Sequence, residues 1–210
     1  VSASGDLRLG RGASFNGNGA IEFNGNKIAF DATERTFSNN LEFKSAADLE
    51  FNGKIILGTD ATWTFSNDGF LSGNGNILDI SSGATIRIRR NTTLYMSNLK
   101  LRGLGVGQIV FDDPTSRLRL SSVEFEMHGN VTVTTGGIYA EGPTTIVTKD
   151  HFLTFDQAGS LTVNGIALTY DTLDFSDQSN IRPEAADDPN SVNLTLTYDG
   201  IIRRVFSEQI

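Results

Sequence analysis

The chain contains no cysteine, so no disulfide and no thiolate metal site is available, and redox evidence does not fix its compartment. It has only four prolines and two histidines, His128 and His151, which leaves little material for acid–base or metal chemistry. No run approaches the roughly 18 apolar residues of a membrane span, so membrane insertion is not expected. Basic charge is also in deficit. A formal net charge of −8 argues against a nucleic-acid partner. Helical periodicity is almost missing: "KSAAD" at 44 and "PEAAD" at 183 are the helix-like pieces, about one turn each. With these classes set aside, a chain of 210 residues rich in Gly, Asn, Ser and Thr is expected to be all-β.

What the chain has is a beat. The stretch "SRLRLSSVEFEM" at 116 holds two alternating strands separated by Ser121 and Ser122, and the figure returns in "DLEFNGKIIL", "TLYMSNLKL" and "SLTVNGIALTY". Leu41, Trp63, Ile86, Ile109, Val131, Leu153 and Leu173 follow one another in steps of 22, 23, 23, 22, 22 and 20. A second series runs Leu49, Phe70 or Leu71, Leu94, Leu118, Ile138, Leu161, and a third Ile55, Ile77, Leu99, Val123, Ile146, Ile166. Leu41-Glu42-Phe43 and Ile86-Arg87-Ile88 show the period of two within a strand, one face buried and one wet. A constant period near 22 residues sets each strand over its counterpart one turn later, about 4.8 Å away in a parallel ladder. The expectation is a single-domain parallel β-helix with three strands per rung and about seven rungs, with a β-sandwich of hairpins as the rival.

The corner between the second and third strands of a rung reads Asn52-Gly53, Ser97-Asn98, Ser121-Ser122 and Asn164-Gly165. Asn and Gly tolerate left-handed backbone, and Ser bonds back to it, so the repeated corner is structural. This rung length and small polar corner, over roughly residues 20 to 175, resemble the right-handed parallel β-helix superfamily of pectate lyases, phage tailspikes and bacterial surface passengers. That resemblance implies the handedness, which spacing does not supply. The chain divides into a Gly-rich leader at 1–20, the β-helix at 21–175, an acidic loop at 176–190 and a C-terminal hairpin at 191–210. Between Asp171 and Asn190 stand six acids and one base, a net −5 that leaves −3 on the other 190 residues.

Chemistry is sparse. The outward residues Glu42, Thr64, Arg87, Val110 and Thr132 share no chemical character, and no long loops wall a groove. The weak catalytic or metal candidates are His128, His151, Asp150 and Asp171, which precede the first strand of successive rungs and can gather at one corner. Asp68, Arg90 and Asp113 are expected to form a charge ladder, and Tyr95 and Tyr139 to face outward. Catalytic residues, cofactors and metals are therefore expected to be none. The ends offer Leu7-Arg8-Leu9 and a hairpin around Asp199-Gly200, so Leu7, Leu9, Leu194, Leu196 and Tyr198 are the candidate assembly residues. The expected role is a noncatalytic extracellular or cell-surface structural protein, self-associating head to tail as a fibre subunit or stalk-like adhesin. A polysaccharide or host surface is a possible further partner. A carbohydrate-active or carbohydrate-binding β-helix is the alternative.

Overall fold

The computed structural model describes residues 2, 4–10, 17–31, 33–141, 144–147, 151, 153–163, 166–168, 194–198 and 201–203, with side chains as far as Leu153. The described elements are all strands, stacked in parallel as a β-solenoid of about 6 turns. In the first column, Gly19–Ile21, Leu41–Phe43, Thr62–Phe65, Thr85–Ile88 and Ile109–Phe111 form a five-stranded ladder, with Leu41, Trp63, Ile86 and Ile109 in register. Val131–Ala140 and Leu153–Val163 carry the same beat onward, Val131 opposite Leu153.

The second and third columns join the long strands of a fifteen-stranded sheet. Thr93–Leu104 and Arg117–Met127 each cross from one column to the next without leaving the ladder. They bend at Asn98 and Ser122, whose φ angles of 50° and 56° are left-handed, the conformation the small polar corner is suited to. Leu118, Val123, Ile138 and Ile146 are buried, whereas Arg119 and Glu124 lie half-exposed on the outer face.

The register decides between Phe70 and Leu71 and shifts the third column, where Ile146 pairs with Phe125 rather than Val123. Leu71, not Phe70, pairs with Leu49, and Phe70 points outward, 49% exposed. Likewise Leu78 continues the column of Ile55, and Ile77 pairs with the outward Lys100. Corner length is the cause: the second-to-third turn at Gly73–Asn76 spends four residues where Asn52-Gly53 spends two. Leu94 meets Gly69 rather than a leucine, and a Cβ on Gly69 would lie 2.7 Å from the Phe65 ring.

The rung count also falls by one. Ile166–Leu168 does not continue the third column; it turns back antiparallel on Leu153–Val163, Leu168 opposite Leu161. Leu194–Tyr198 takes the vacant third-column place instead, parallel to Thr144–Val147, and Ile201–Arg203 folds antiparallel onto it as the C-terminal hairpin. Asn164-Gly165, read as one more corner, lies outside the described residues. So does "PEAAD", whereas "KSAAD" forms a bend and the start of the strand Ala47–Phe51, its apolar residues alternating inward.

The core changes character along the axis. Toward the N-terminal end it is aromatic: Phe43 stacks on Phe65 at 4.7 Å, and Trp63 meets Phe37 and Phe43 edge-on at 5.4 and 5.5 Å. Toward the other end Leu, Ile, Val and Met predominate. Such aromatic pairs contribute about 0.5–1.5 kcal/mol each beyond area burial. One polar atom in this cluster is orphaned, since Trp63 Nε1 is buried without a hydrogen-bond partner. An unmet buried donor costs about 1–3 kcal/mol.

Two stability predictions follow from the packing. Leu118→Ala should lower stability by about 2–5 kcal/mol, and Arg117→Ala, on the exposed neighbouring position, by no more than about 0.5 kcal/mol. Equal shifts in the urea midpoint would contradict the register. Trp63→Phe removes the orphan N–H together with some ring area, so it should change stability by about 1 kcal/mol at most, against about 3–5 kcal/mol for Trp63→Ala. If the two Trp63 variants melt alike, the unmet donor carries no weight.

Candidate functional site

The outer face of the second column carries the most unusual side chains. Register places Phe70, Tyr95, Arg119 and Tyr139 on successive rungs. The Phe70 and Tyr95 rings lie 4.6 Å apart and within 6° of parallel. The Arg119 guanidinium covers the Tyr95 ring at 5.4 Å and the Tyr139 ring at 5.8 Å, and Arg117 approaches Tyr139 at 5.7 Å. Arg119 Nη1 donates to the Tyr95 hydroxyl at 3.3 Å, and its Nε stands 3.2 Å from Glu141 Oε1. A ring binds a sugar by offering an open face, yet Phe70 and Arg119 both cover Tyr95. The stripe therefore satisfies itself along the axis, and Phe70 is its most exposed member.

The same logic governs the charges. Opposite charges meet across adjacent rungs: Lys27 with Glu50 at 3.2 Å, Lys100 with Glu124 at 3.0 Å, Arg87 and Arg89 with Asp112 at 2.7 and 3.0 Å. Arg90 pairs with Asp113 at 3.1 Å, which realises half of the expected ladder, while Asp68 Oδ1 accepts from the Thr93 N–H. Amides continue the pattern: Asn74 donates to Asn52, and Asn52 to Asp31, at 2.8 and 2.7 Å. A shallow cleft of about 280 Å³ at the second corner is lined by Asn98, Lys100, Ser122, Glu124 and Thr145, and the Lys100–Glu124 pair already neutralises its charge.

Of the expected catalytic group, His128 Nε2 lies 3.0 Å from Glu126 Oε1, a neighbour two residues back on its own chain. Glu126 is buried and holds Arg102 at 3.1 Å with its other oxygen. Behind Arg102 the ladder bulges at Gly103, whose φ of 89° and 2.4 Å approach of a would-be Cβ to the Ser81 backbone leave room for glycine alone. His151 is half-buried. Asp150 and Asp171 lie outside the described residues, and among the described residues no three His, Asp or Glu side chains gather as a metal site. Leu7 and Leu9 lie in a strand paired with Lys27–Phe30; Leu7 is exposed and Leu9 packs partly on the core. Leu194, Leu196 and Tyr198 belong to the strand that pairs with the chain's own Thr144–Val147.

Sequence reasoning missed the inward Arg35 and the buried Glu126. The parity of Glu34-Arg35-Thr36-Phe37, which puts Arg35 on the face of the apolar Phe37, was the available signal for the first. For Glu126 there was none, because its strand alternates until a buried run at Phe125–Met127.

Several carboxylates are held acidic by these contacts. Burial pushes Asp79 up, but hydrogen bonds from the Ser81 hydroxyl at 2.6 Å and N–H at 3.1 Å, with Lys54 at 3.4 Å, outweigh it and leave the group below its ordinary value. The Lys27 ammonium lowers Glu50, and the Thr115 hydroxyl with Arg90 lowers Asp113. Comparisons with protein-family models, with curated proteins and with solved structures found no match. The fold alone defines the class: this is a repeat protein of the parallel β-solenoid type.

A group whose pKa is depressed by folding contributes its stability above the ordinary carboxylate range and loses it as pH falls through that range. Urea midpoints should therefore drop between pH 6 and pH 3, and Asp79→Asn should narrow the drop. An unchanged drop in that variant would remove Asp79 from the account.

Proposed function

We propose that the chain is a noncatalytic structural module of an extracellular or cell-surface fibre, a nonenzymatic relative of the right-handed parallel β-helix superfamily that associates head to tail through its solenoid ends. One observation carries this reading. The described strands form ladders that run along the axis, and among the described residues the outermost strands Leu7–Leu9 and Ile201–Arg203 each pair with a single neighbour. Open backbone edges are templates for strand addition. Outer-face polar groups spend themselves on the next rung of the same chain, which favours an inert rod over a working cleft. The candidate contacts remain Leu7 and Leu9 at one end, and at the other the hairpin of Leu194, Leu196 and Tyr198 with its outer strand.

The second reading, a carbohydrate-binding β-helix, is favoured by Phe70 alone, an exposed ring beside the stacked stripe. The two are separated by particle size. Negative-stain microscopy should show rods that lengthen with concentration, and deleting residues 1 to 10 should shorten them while the β-rich circular dichroism signal persists. A monodisperse monomer at high concentration that binds polysaccharide, with binding lost in Phe70→Ala, would favour the second reading and sink the first.

A further inference from the structure

At one step of the solenoid only two of the three columns are paired. Between the rung of Ile109–Phe111 and the next, residues 117–120 stay in register with 137–140, and 123–126 with 144–147. In the first column the five-stranded ladder ends at Ile109–Phe111, and no ladder joins that strand to residues 131–133. Every other step between the described rungs from Gly19 onward pairs all three columns. Chain length is the cause. Arg102 lies opposite Glu126 and Arg117 opposite Gly137, so the two rungs enter and leave this wall together. From Arg102 to Arg117 the chain advances 15 residues, and one rung earlier, from Asp79 to Thr93, it advances 14. From Glu126 to Gly137 it advances only 11. A shorter chain across the same arc cannot follow the longer one outward. Phe111, which a 22-residue step would set over Val133, meets Gly136 instead: a Cβ there would lie 2.7 Å from the Phe111 side chain.

The open side shows in the backbone and in burial. The Ile86 N–H donates to the Gln108 carbonyl at 2.8 Å, and the Asp112 N–H to the Ile88 carbonyl at 3.0 Å. By the alternation of a parallel ladder, Ile109 and Phe111 turn their own N–H and C=O groups the other way, to the side where no ladder forms. Inward Ile109 is only partly buried and Phe111 is 7% exposed, whereas Ile86 and Ile88, opposite them in the same column, are fully buried. Across the same step the second column is reinforced: Arg119 Nε stands 3.2 Å from Glu141 Oε1, and its guanidinium covers the Tyr139 ring at 5.8 Å. Proteins open locally where the fewest buried contacts and backbone hydrogen bonds resist. We infer that this step is a hinge: the rod bends here in one direction, opening its first-column wall between Phe111 and Val133 while the second and third columns stay paired. Opening bares Ile109, Phe111, Val131 and Val133, the core residues on either side of the break. The hinge needs no partner and stands independently of the fibre reading.

The test is the rate at which a maleimide labels single thiols in the folded full chain. Because the chain has no cysteine, each introduced thiol reports one position. Val133→Cys probes the first-column wall at the break, Val123→Cys the third column of the rung before it, and Ile146→Cys the third column of the same rung as Val133. All three native side chains are at most 3% exposed, so static access does not favour one. With the wild-type circular dichroism spectrum retained, Val133→Cys should react at least about tenfold faster than the other two, and its rate should rise little with urea below the unfolding midpoint. If Val133→Cys fails to fold, Val131→Cys decides in its place. Equal rates at all three positions overturn the hinge. Labelling of Ile146→Cys as fast as Val133→Cys also overturns it, because the rungs beyond the break then fray as a whole. A labelling rate at Val133 that climbs with urea as steeply as global unfolding overturns it as well, since the thiol is then reached through the unfolded chain.

Discussion

Everything in this molecule depends on parallel stacking at one strand spacing. When a rung of about 22 residues returns over itself, each inward side chain packs on the same column one strand below, and each backbone N–H meets a carbonyl along the axis. That repetition lets an all-β chain without cysteine build a core from short strands. Separate hairpins of three to five residues would be marginal. The ladder makes each of them a segment of one continuous sheet.

The same constraint organises the surface. Positions on the outer face also repeat at the strand spacing, so like side chains stacked there either attract or repel. Here they attract: aromatic on aromatic at Phe70 and Tyr95, cation over ring at Arg119 and Tyr139, acid beside base at Lys100 and Glu124. Exposed pairs of this kind contribute little individually, about 0–1 kcal/mol. Their larger effect is on register, because a slip of one residue turns every inward side chain out. Side chains committed to the next rung are not free for a ligand. The outer face therefore reads as reinforcement, and in the fibre reading proposed above the ends of the rod are the contact surfaces.

Much of the architecture was legible in the sequence. The spacing from Leu41 through Trp63, Ile86 and Ile109, in steps of 22 and 23 residues, is the register of the first column. The second column left Phe70 and Leu71 open, because alternation alone does not say which of two adjacent apolar residues points inward, and the third slipped by one residue at Ile77, where the preceding turn lengthens. The fold-back of Ile166–Leu168 was invisible for another reason. An alternating strand looks the same whether it pairs parallel or antiparallel, and only the long-range competition of Leu194–Tyr198 for the same ladder decides it. The candidate site was less legible still. His128 and His151 attracted notice as rare residue types, but His128 engages Glu126 on its own strand. Arg35 hid among ordinary surface arginines because charge is taken for exposure.

In the fibre reading proposed above, the solenoid axis is also the fibre axis, with strands perpendicular to it in every subunit and across every junction. Fibre diffraction from aligned filaments tests this most directly. The account predicts a strong reflection at about 4.8 Å along the fibre axis, from strands stacked parallel to it. A 4.8 Å reflection perpendicular to the fibre axis would mean that the solenoids associate side by side, and would contradict end-to-end assembly.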